Sequence, residues 1–105
     1  MNYEQAKRRA AVLKAVAHPV RVLIVEALQS GERCVCDLNR IAKINQSNFS
    51  RHLAVLKHAG IVADRRVGMK VFYRLVTPCV LNALNCAVQV IESDAKRRHA
   101  LARSV

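Results

Sequence analysis

Long apolar runs, glycine and acidic residues are all scarce in this chain of 105 residues. No apolar stretch approaches the ~20 residues that a membrane-spanning helix needs, so no membrane partner is expected. The basic N-terminus, MNYEQAKRRA, is not followed by the apolar core and cleavage site of a secretory signal, so we expect a cytoplasmic protein. In that compartment the four cysteines are better suited to metal binding or redox chemistry than to structural disulfides.

Patterns that carry catalysis are also missing. The three glycines form no phosphate-binding loop, and no Cys-x-x-Cys redox motif occurs, so we expect neither an enzyme nor an organic cofactor. The four histidines form no His-x-His or His-x-x-x-His pair. The C-terminal segment offers only Glu92, Asp94 and His99, and a zinc site there is therefore not expected.

Basic residues, in contrast, are abundant. Eighteen Lys and Arg against seven Asp and Glu give a formal charge of +11, and residues 34–76 alone hold eight basic and two acidic residues. A small domain with its positive charge concentrated in one segment is typical of polyanion-binding proteins, and we expect duplex DNA as the partner. A solvated basic surface without a partner is the alternative.

Periodicity and chain breakers predict four helices before Gly60. A helix over 3–16 capped by Asn2 ends at His18-Pro19, and a second helix follows. A short helix over 35–42 and a turn over 43–45 precede a fourth helix capped by Asn45, which completes a helix-turn-helix. The predicted inward residues are Val20, Leu23, Ile24, Ala27 and Leu28 in the second helix, Val35, Leu38, Ile41 and Ala42 in the third, and Phe49, Leu53 and Leu56 in the fourth.

After Gly60 the pattern changes to strands. Residues 61–75 are predicted to form a hairpin with its turn near Val67-Gly68-Met69. A last helix should open with Thr77 as its cap and Pro78 in its first turn, and its apolar stripe is Leu81, Leu84, Val88 and Ile91. The basic tail, 96–105, either continues this helix or frays. The whole chain, 1–105, is thus predicted to be one mainly α domain with a small β-hairpin, a winged helix-turn-helix.

The fourth helix and the hairpin have the residues of a DNA-reading surface. The helix begins in polar side chains that can pair with bases in the major groove, with Asn and Gln suited to adenine and Arg to guanine. The hairpin carries cations that can reach the backbone or the minor groove. The predicted DNA contacts are Gln46, Ser47, Asn48, Ser50, Arg51, His52, Arg65, Arg66 and Lys70. An ordinary amphipathic helix and a charge-protected hairpin edge are the alternatives.

Four stretches make the chain resemble the ArsR/SmtB family of bacterial metal-responsive repressors. They are AHPVRVLIVEAL, CVCDL, QSNFSRHLAVLKHAGIV and RRVGMKVFYRL, and the resemblance covers residues 10–76. It implies a homodimer formed through the first and last helices. It also implies an inducer whose binding releases operator DNA.

The CVCDL stretch resembles the segment that binds trivalent arsenic or antimony in arsenic-responsive members, which implies Cys34 and Cys36 as ligands. Some of those members have CVCDLC, whereas here the sixth position is Asn39. The third ligand stays open among Cys79, Cys86, a cysteine of a second subunit and a small cellular thiol. Of Cys79 and Cys86 we favour Cys79, because the dipole at a helix start favours a thiolate. Packing in the dimer interface is the alternative for both cysteines.

Other chemistries compete for the same cysteines. Cadmium and zinc bind the same donors, and the same fold acting as a redox or persulfide sensor is the alternative function. In one regular helix, the side chains of Cys34 and Cys36 would point about 160° apart, given 3.6 residues per turn. We therefore expect that ion binding unwinds the start of the 35–42 helix. This should disturb the fourth helix, the predicted recognition helix, which packs against it.

Overall fold

The computed structural model describes residues 1–103, which form five α-helices and three strands. In chain order the elements are α1 (Tyr3–Val16), α2 (Pro19–Ala27), β1 (Arg33–Cys34), α3 (Val35–Ala42), α4 (Gln46–His58), β2 (Val62–Val67), β3 (Lys70–Leu75) and α5 (Val80–Arg103). Most of the predicted tail continues α5, and positions 104 and 105 lie outside the described residues. Within the described chain, no helix is both long and apolar enough to cross a bilayer.

Local signals set most helix bounds where the sequence predicts them. Asn2 and Gln5 cap α1 reciprocally, each backbone N–H donating to the other side chain at 2.9 Å. Pro19 opens α2, where its missing N–H costs nothing. The helix-turn-helix connection uses Lys43 in the left-handed region, with φ 55°, and Asn45 accepts a bond from the Asn48 N–H at 2.9 Å.

The last helix begins later than predicted. Thr77, Pro78 and Cys79 form a tight turn in which each carbonyl accepts from the N–H three residues ahead, and α5 begins at Val80. Thr77 therefore lies outside the helix. Leu81 and Leu84 pack partly against the core, whereas Val88 and Ile91 are 51% and 67% exposed on the chain's own surface.

The strands form one antiparallel sheet in the order β1-β3-β2. The predicted hairpin is confirmed: Val67 pairs with Lys70 across a two-residue turn in which Gly68 has φ 61°. Strand β1 was not predicted; its Arg33 and Cys34 lie opposite Tyr73 and Phe72. A strand of two residues carries no alternating pattern, so only the tertiary pairing reveals it.

The core lies where α2, α3 and α4 meet the sheet. Phe49, Leu53 and Leu56 are buried as predicted and pack with Ile24 and Leu38. Full burial of such a side chain contributes about 1.5–3 kcal/mol. Among the other inward predictions, those for Leu23 and Ile41 were wrong, since these side chains are 44% and 39% exposed. The buried residues here are Ile24 and Val25 of α2 and Leu28 just after it, and of these only Val25 was not predicted to face inward.

A histidine pair joins the start of α2 to the recognition helix. The His18 and His52 rings lie 4.2 Å apart, centroid to centroid, and His18 Nδ1 also accepts from the Val20 N–H at 3.1 Å. Partial burial lowers the pKa of His52, and the nearby His18 and Arg21 lower this pKa further. The fold therefore favours the neutral His52 ring.

This preference predicts a pH dependence of stability. Because the pKa of His52 is lower in the folded than in the unfolded chain, the unfolded state binds more protons below about pH 6.5. The contribution of His52 is complete above that pH and is lost as pH falls through the folded pKa. We expect the thermal midpoint to fall from about pH 7.5 to 5.5, where carboxylates stay ionised, and to fall less in His52→Gln. His58→Gln, an exposed position on the same helix, is the control. Equal slopes in all three proteins would contradict the assignment.

Candidate nucleic-acid interface and thiol site

The N-terminal turns of α4 expose a polar surface. Gln46, Ser47, Asn48, Ser50 and Arg51 are all exposed, because Phe49 and Leu53 turn the opposite face into the core. His52, the sixth residue predicted in this group, is partly buried against His18. Five of the six predicted α4 residues thus lie on the surface that a DNA groove could approach.

The β2–β3 hairpin, residues 62–75, is called the wing below. An ion pair at its base connects it to α4. Lys57 Nζ, near the end of α4, lies 3.0 Å from Asp64 Oδ1 in β2. The Lys57 hydrogen bond lowers the pKa of Asp64, and Asp64 in turn raises the pKa of Lys57. This contact fixes the strand that carries Arg66 relative to the recognition helix.

Basic residues of the wing are not equivalent. Arg66 and Lys70 are exposed and have no ion pair among the described residues, so their charge is available to a phosphate. Arg65, also predicted to contact DNA, is held by Glu32, with its Nε 2.9 and 2.8 Å from the two carboxylate oxygens. Glu32 was not among the predicted site residues, because it lies 33 residues away from Arg65 along the chain.

Cys34 and Cys36 are brought together at the start of α3. Cys34 has an extended backbone, with φ −71° and ψ 149°, and its sulfur caps the helix by accepting from the Cys36 N–H at 3.2 Å. The two sulfurs form a disulfide. Cys34 is therefore not part of the regular helix, and the expectation that the helix must unwind before both sulfurs can meet was wrong.

The donor set at this position fits a soft ion. In the disulfide the two sulfurs bond to each other, whereas reduction would provide two thiolates in the same place. Their sulfurs and an oxygen of Asp37 all lie within 4.8 Å of one another. Cys34 is 8% exposed and Cys36 is exposed, so one cysteine is sheltered and the other is accessible. Thiolate pairs of this kind prefer soft or borderline metals and metalloids.

Cys79 and Cys86 stand apart from this cluster in a single chain. Both are free and exposed, Cys79 in the turn before α5 and Cys86 within α5. Among the described residues of one chain, neither joins the group formed by Cys34, Cys36 and Asp37. Their service as a third ligand stays a prediction.

A groove of about 390 Å³ connects the thiols to the DNA-reading elements. One wall comes from the start of α3, the second from the first residue of α4, and the third from the tip of the wing. The lining residues are Cys34, Val35, Cys36, Asn39, Gln46, Met69, Lys70 and Val71. The cysteine pair thus shares a groove with Gln46 and Lys70, a convergence that no local sequence signal reveals.

Comparisons with known proteins match this chain to one family of bacterial regulators. The family described as bacterial regulatory protein, arsR family, matches residues 18–64. The transcriptional repressor SmtB of Mycobacterium tuberculosis is 44% identical over 84 residues, which are 80% of this chain and 62% of that protein. The arsenic resistance transcriptional regulator ArsR1 of Pseudomonas putida is 43% identical over 65 residues, 61% of this chain and 51% of that protein. The chain thus spans between half and two thirds of the length of these two relatives.

Another relative is covered more completely. The biofilm growth-associated repressor of Xylella fastidiosa is 33% identical over 94 residues, 90% of this chain and 82% of that protein.

Solved structures share the fold over nearly the whole chain. Rv0081 of M. tuberculosis superposes with a TM-score of 0.79 at 33% identity, covering 92% of this chain and 98% of that one. The homodimeric winged helix-turn-helix domain Mb0332 of Mycobacterium bovis gives 0.70 at 30% identity, covering 93% of each chain. The antimony-specific transcriptional repressor AntR gives 0.76 at 29% identity, covering 90% of this chain and 86% of that one. With its helix-turn-helix, its wing and these relatives, the chain belongs to the ArsR family of bacterial regulatory proteins, as the resemblance implied.

Proposed function

We propose that this protein is a homodimeric transcriptional repressor that releases operator DNA when trivalent arsenic or antimony binds Cys34 and Cys36. The observation that carries the proposal is the groove in which these cysteines lie beside Gln46 of the recognition helix and Lys70 of the wing. One small region thus contains soft ligands for an inducer and two of the predicted contacts to DNA.

DNA binding would use the exposed start of α4 and the free cations of the wing. Gln46 and Asn48 can pair with adenine and Arg51 with guanine, which would supply sequence discrimination. Arg66 and Lys70 would neutralise phosphates and supply affinity that depends on salt. The formal charge of +11 favours rapid association with a polyanion.

A homodimer would bury apolar surface that the single chain leaves exposed. Leu13 of α1 is 57% exposed, and Val88, Val90 and Ile91 of α5 are 51%, 68% and 67% exposed. A mostly apolar hollow of about 180 Å³ lies between these helices, lined in part by Leu13, Val80 and Leu84. Pairing α1 and α5 with a second copy would cover this surface, and the structurally similar Mb0332 domain is a homodimer, which supports a dimer here.

Two thiolates leave trivalent arsenic one bond short. Cys79, favoured from the sequence, would supply the third thiolate from the second subunit, with Cys86 as the alternative donor. The names of ArsR1, an arsenic resistance regulator, and of AntR, an antimony-specific repressor, support this choice of inducer.

Release would follow from competition in the groove. An ion held by Cys34 and Cys36 lies beside Gln46 and Lys70, whose side chains the DNA also needs. A coupling free energy of about 1–3 kcal/mol between ion binding and DNA binding is enough to lower the affinity for DNA tens-fold.

The DNA-binding part of the proposal predicts two kinds of mutant. Arg66→Ala and Lys70→Ala should each weaken binding on all sequences and reduce the slope of log K against log salt by about 0.9, because each removes one phosphate contact. Gln46→Ala should cost about 1–3 kcal/mol on the operator and little on unrelated DNA. Fluorescence anisotropy over a salt series measures both effects. Lys96→Ala, an exposed change of equal charge on α5, should leave the slope unchanged. Equal slopes for Lys96→Ala and Lys70→Ala would argue against the interface.

The inducer part predicts which cysteines matter. Reduced Cys34→Ser and Cys36→Ser proteins should bind operator DNA like the wild type but should no longer release it on addition of arsenite, because one ligand is gone. Cys79→Ser should weaken the arsenite response, and Cys86→Ser should leave it intact. A gel-shift titration with arsenite, antimonite, cadmium, zinc and peroxide ranks the inducers. Undiminished release in both Cys34→Ser and Cys36→Ser would refute the thiol site.

The disulfide between Cys34 and Cys36 favours a second candidate function, a redox-switched repressor. In this reaction peroxide takes two electrons and two protons from the thiols and leaves as two waters, while the S–S bond forms. Mass spectrometry should then show a Cys34–Cys36 crosslink after peroxide treatment, with loss of operator binding that a dithiol reductant reverses. A crosslinked protein that still binds its operator would exclude this switch and leave the arsenite mechanism in place.

A further inference from the structure

Glu32 and Arg65 join the segment that carries Cys34 to the outer strand of the wing. Arg65 Nε lies 2.9 and 2.8 Å from the two Glu32 oxygens, and Arg65 Nη2 lies 2.6 Å from Glu32 Oε1. The guanidinium also lies over the Phe72 ring, 5.4 Å from its centroid. We call this ion pair the clamp.

Arg65 of the clamp and Cys34 of the thiol site lie in one row of paired residues across the sheet. Cys34 lies directly opposite Phe72, and Phe72 lies directly opposite Arg65. Side chains of directly opposed residues project from the same face of a sheet. Glu32 lies two residues before Cys34 in the chain, and its carboxylate reaches the Arg65 side chain at the other end of this row. A displacement of Cys34 would therefore be transmitted to Arg65 through both Phe72 and Glu32.

Stability alone does not account for this contact. The Arg65 side chain is 59% exposed and that of Glu32 is 26% exposed, and solvent-exposed ion pairs add little to folding free energy. In a DNA-binding wing, moreover, a carboxylate that neutralises an arginine lowers the attraction for phosphates. The fork of Arg65 nevertheless engages both oxygens, which fixes the orientation of the pair as well as its distance.

We propose that Glu32 is a positioning residue that transmits the occupancy of the thiol site to the wing. With Cys34 and Cys36 in direct contact, as here, the clamp is closed and β2 is held against the segment before β1. A ligand inserted between the sulfurs separates them, shifts Cys34 and Glu32 together, and releases Arg65, so that the wing leaves its DNA-binding orientation. The effect on DNA rests on the proposed arsenite-responsive function and not on the redox alternative, in which the disulfide state would lose DNA. The movement of Arg65 rests on neither.

The first experiment follows the Arg65 Nε–H signal by NMR in reduced, ¹⁵N-labelled protein that carries Cys79→Ser and Cys86→Ser. Arsenite is one probe, and carbamidomethylation of Cys34 and Cys36 by iodoacetamide is the other, so the outcome does not depend on the identity of the natural inducer. We expect either ligand to shift the signal and to speed its exchange with water. A signal that neither probe moves would overturn the proposal, even if arsenite releases DNA.

The second experiment compares operator affinity with and without arsenite in full-length variants. Release should fall from tens-fold in the wild type to less than about fivefold in Glu32→Gln, although arsenite still binds with wild-type affinity. Arg65→Lys, which keeps the charge but loses the fork, should show the same loss. Glu26→Gln makes the same charge change at an exposed position on α2 and should release DNA normally. Full release in both clamp variants would overturn the proposal. A wild type that arsenite does not release would refute the inducer alone, and the NMR signal would still decide the clamp.

Discussion

The antiparallel pairing of Arg33 and Cys34 with β3 is the contact on which the arrangement of the thiol site depends. Both residues pair with β3, and Cys34, which lies opposite Phe72, is also the N-cap of α3. The wing is thereby fixed to the helix-turn-helix at the position of the cysteine pair. Without this pairing, the segment after Gly31 would be a loop, and the sulfurs would have no fixed place relative to α4 and the wing.

Ion pairs divide the basic residues of α4 and the wing into a group that holds these elements together and a group whose charge stays free. Lys57 and Arg65 are engaged by Asp64 and Glu32, and these contacts hold the wing to α4 and to the segment before β1. Arg51, Arg66 and Lys70 are exposed and have no ion pair in the part of the chain that is described, so they keep their charge for a polyanion. The net charge of a segment therefore overstates how many of its cations are free to meet phosphates.

Features fixed by near neighbours in sequence could be predicted, and features fixed by distant ones could not. The caps at Asn2 and Asn45, the break at Pro19 and the turn at Gly68 each depend on a few adjacent residues. The helices other than the start of α5, the hairpin and the buried face of α4 were predicted correctly. Leu23 was placed inward because helical periodicity does not reveal which side of a broad apolar stripe the neighbouring helices cover.

The candidate site divides in the same way. The exposed face of α4 and the sequence CVCDL are local, and both were recognised. The strand pairing of Cys34, the half-burial of His52 by His18 and the capture of Arg65 by Glu32 join residues far apart along the chain, or depend on a neighbouring element that the sequence does not specify. The meeting of the cysteines with Gln46 and Lys70 in one groove is likewise a product of tertiary packing.

This geometry reduces what an inducer must accomplish. A ligand that bound equally well in the presence and absence of DNA would shift no equilibrium, however tight its binding. Regulation from a distant site needs a two-state element to carry the difference between the two states. Here Gln46 and Lys70 line the groove of the cysteine pair, so an ion bound there and the DNA would compete for the same side chains. Because the sulfurs already meet at the start of α3, no helix has to unwind first, and the ligand can contribute to the difference in affinity directly as well as through the clamp.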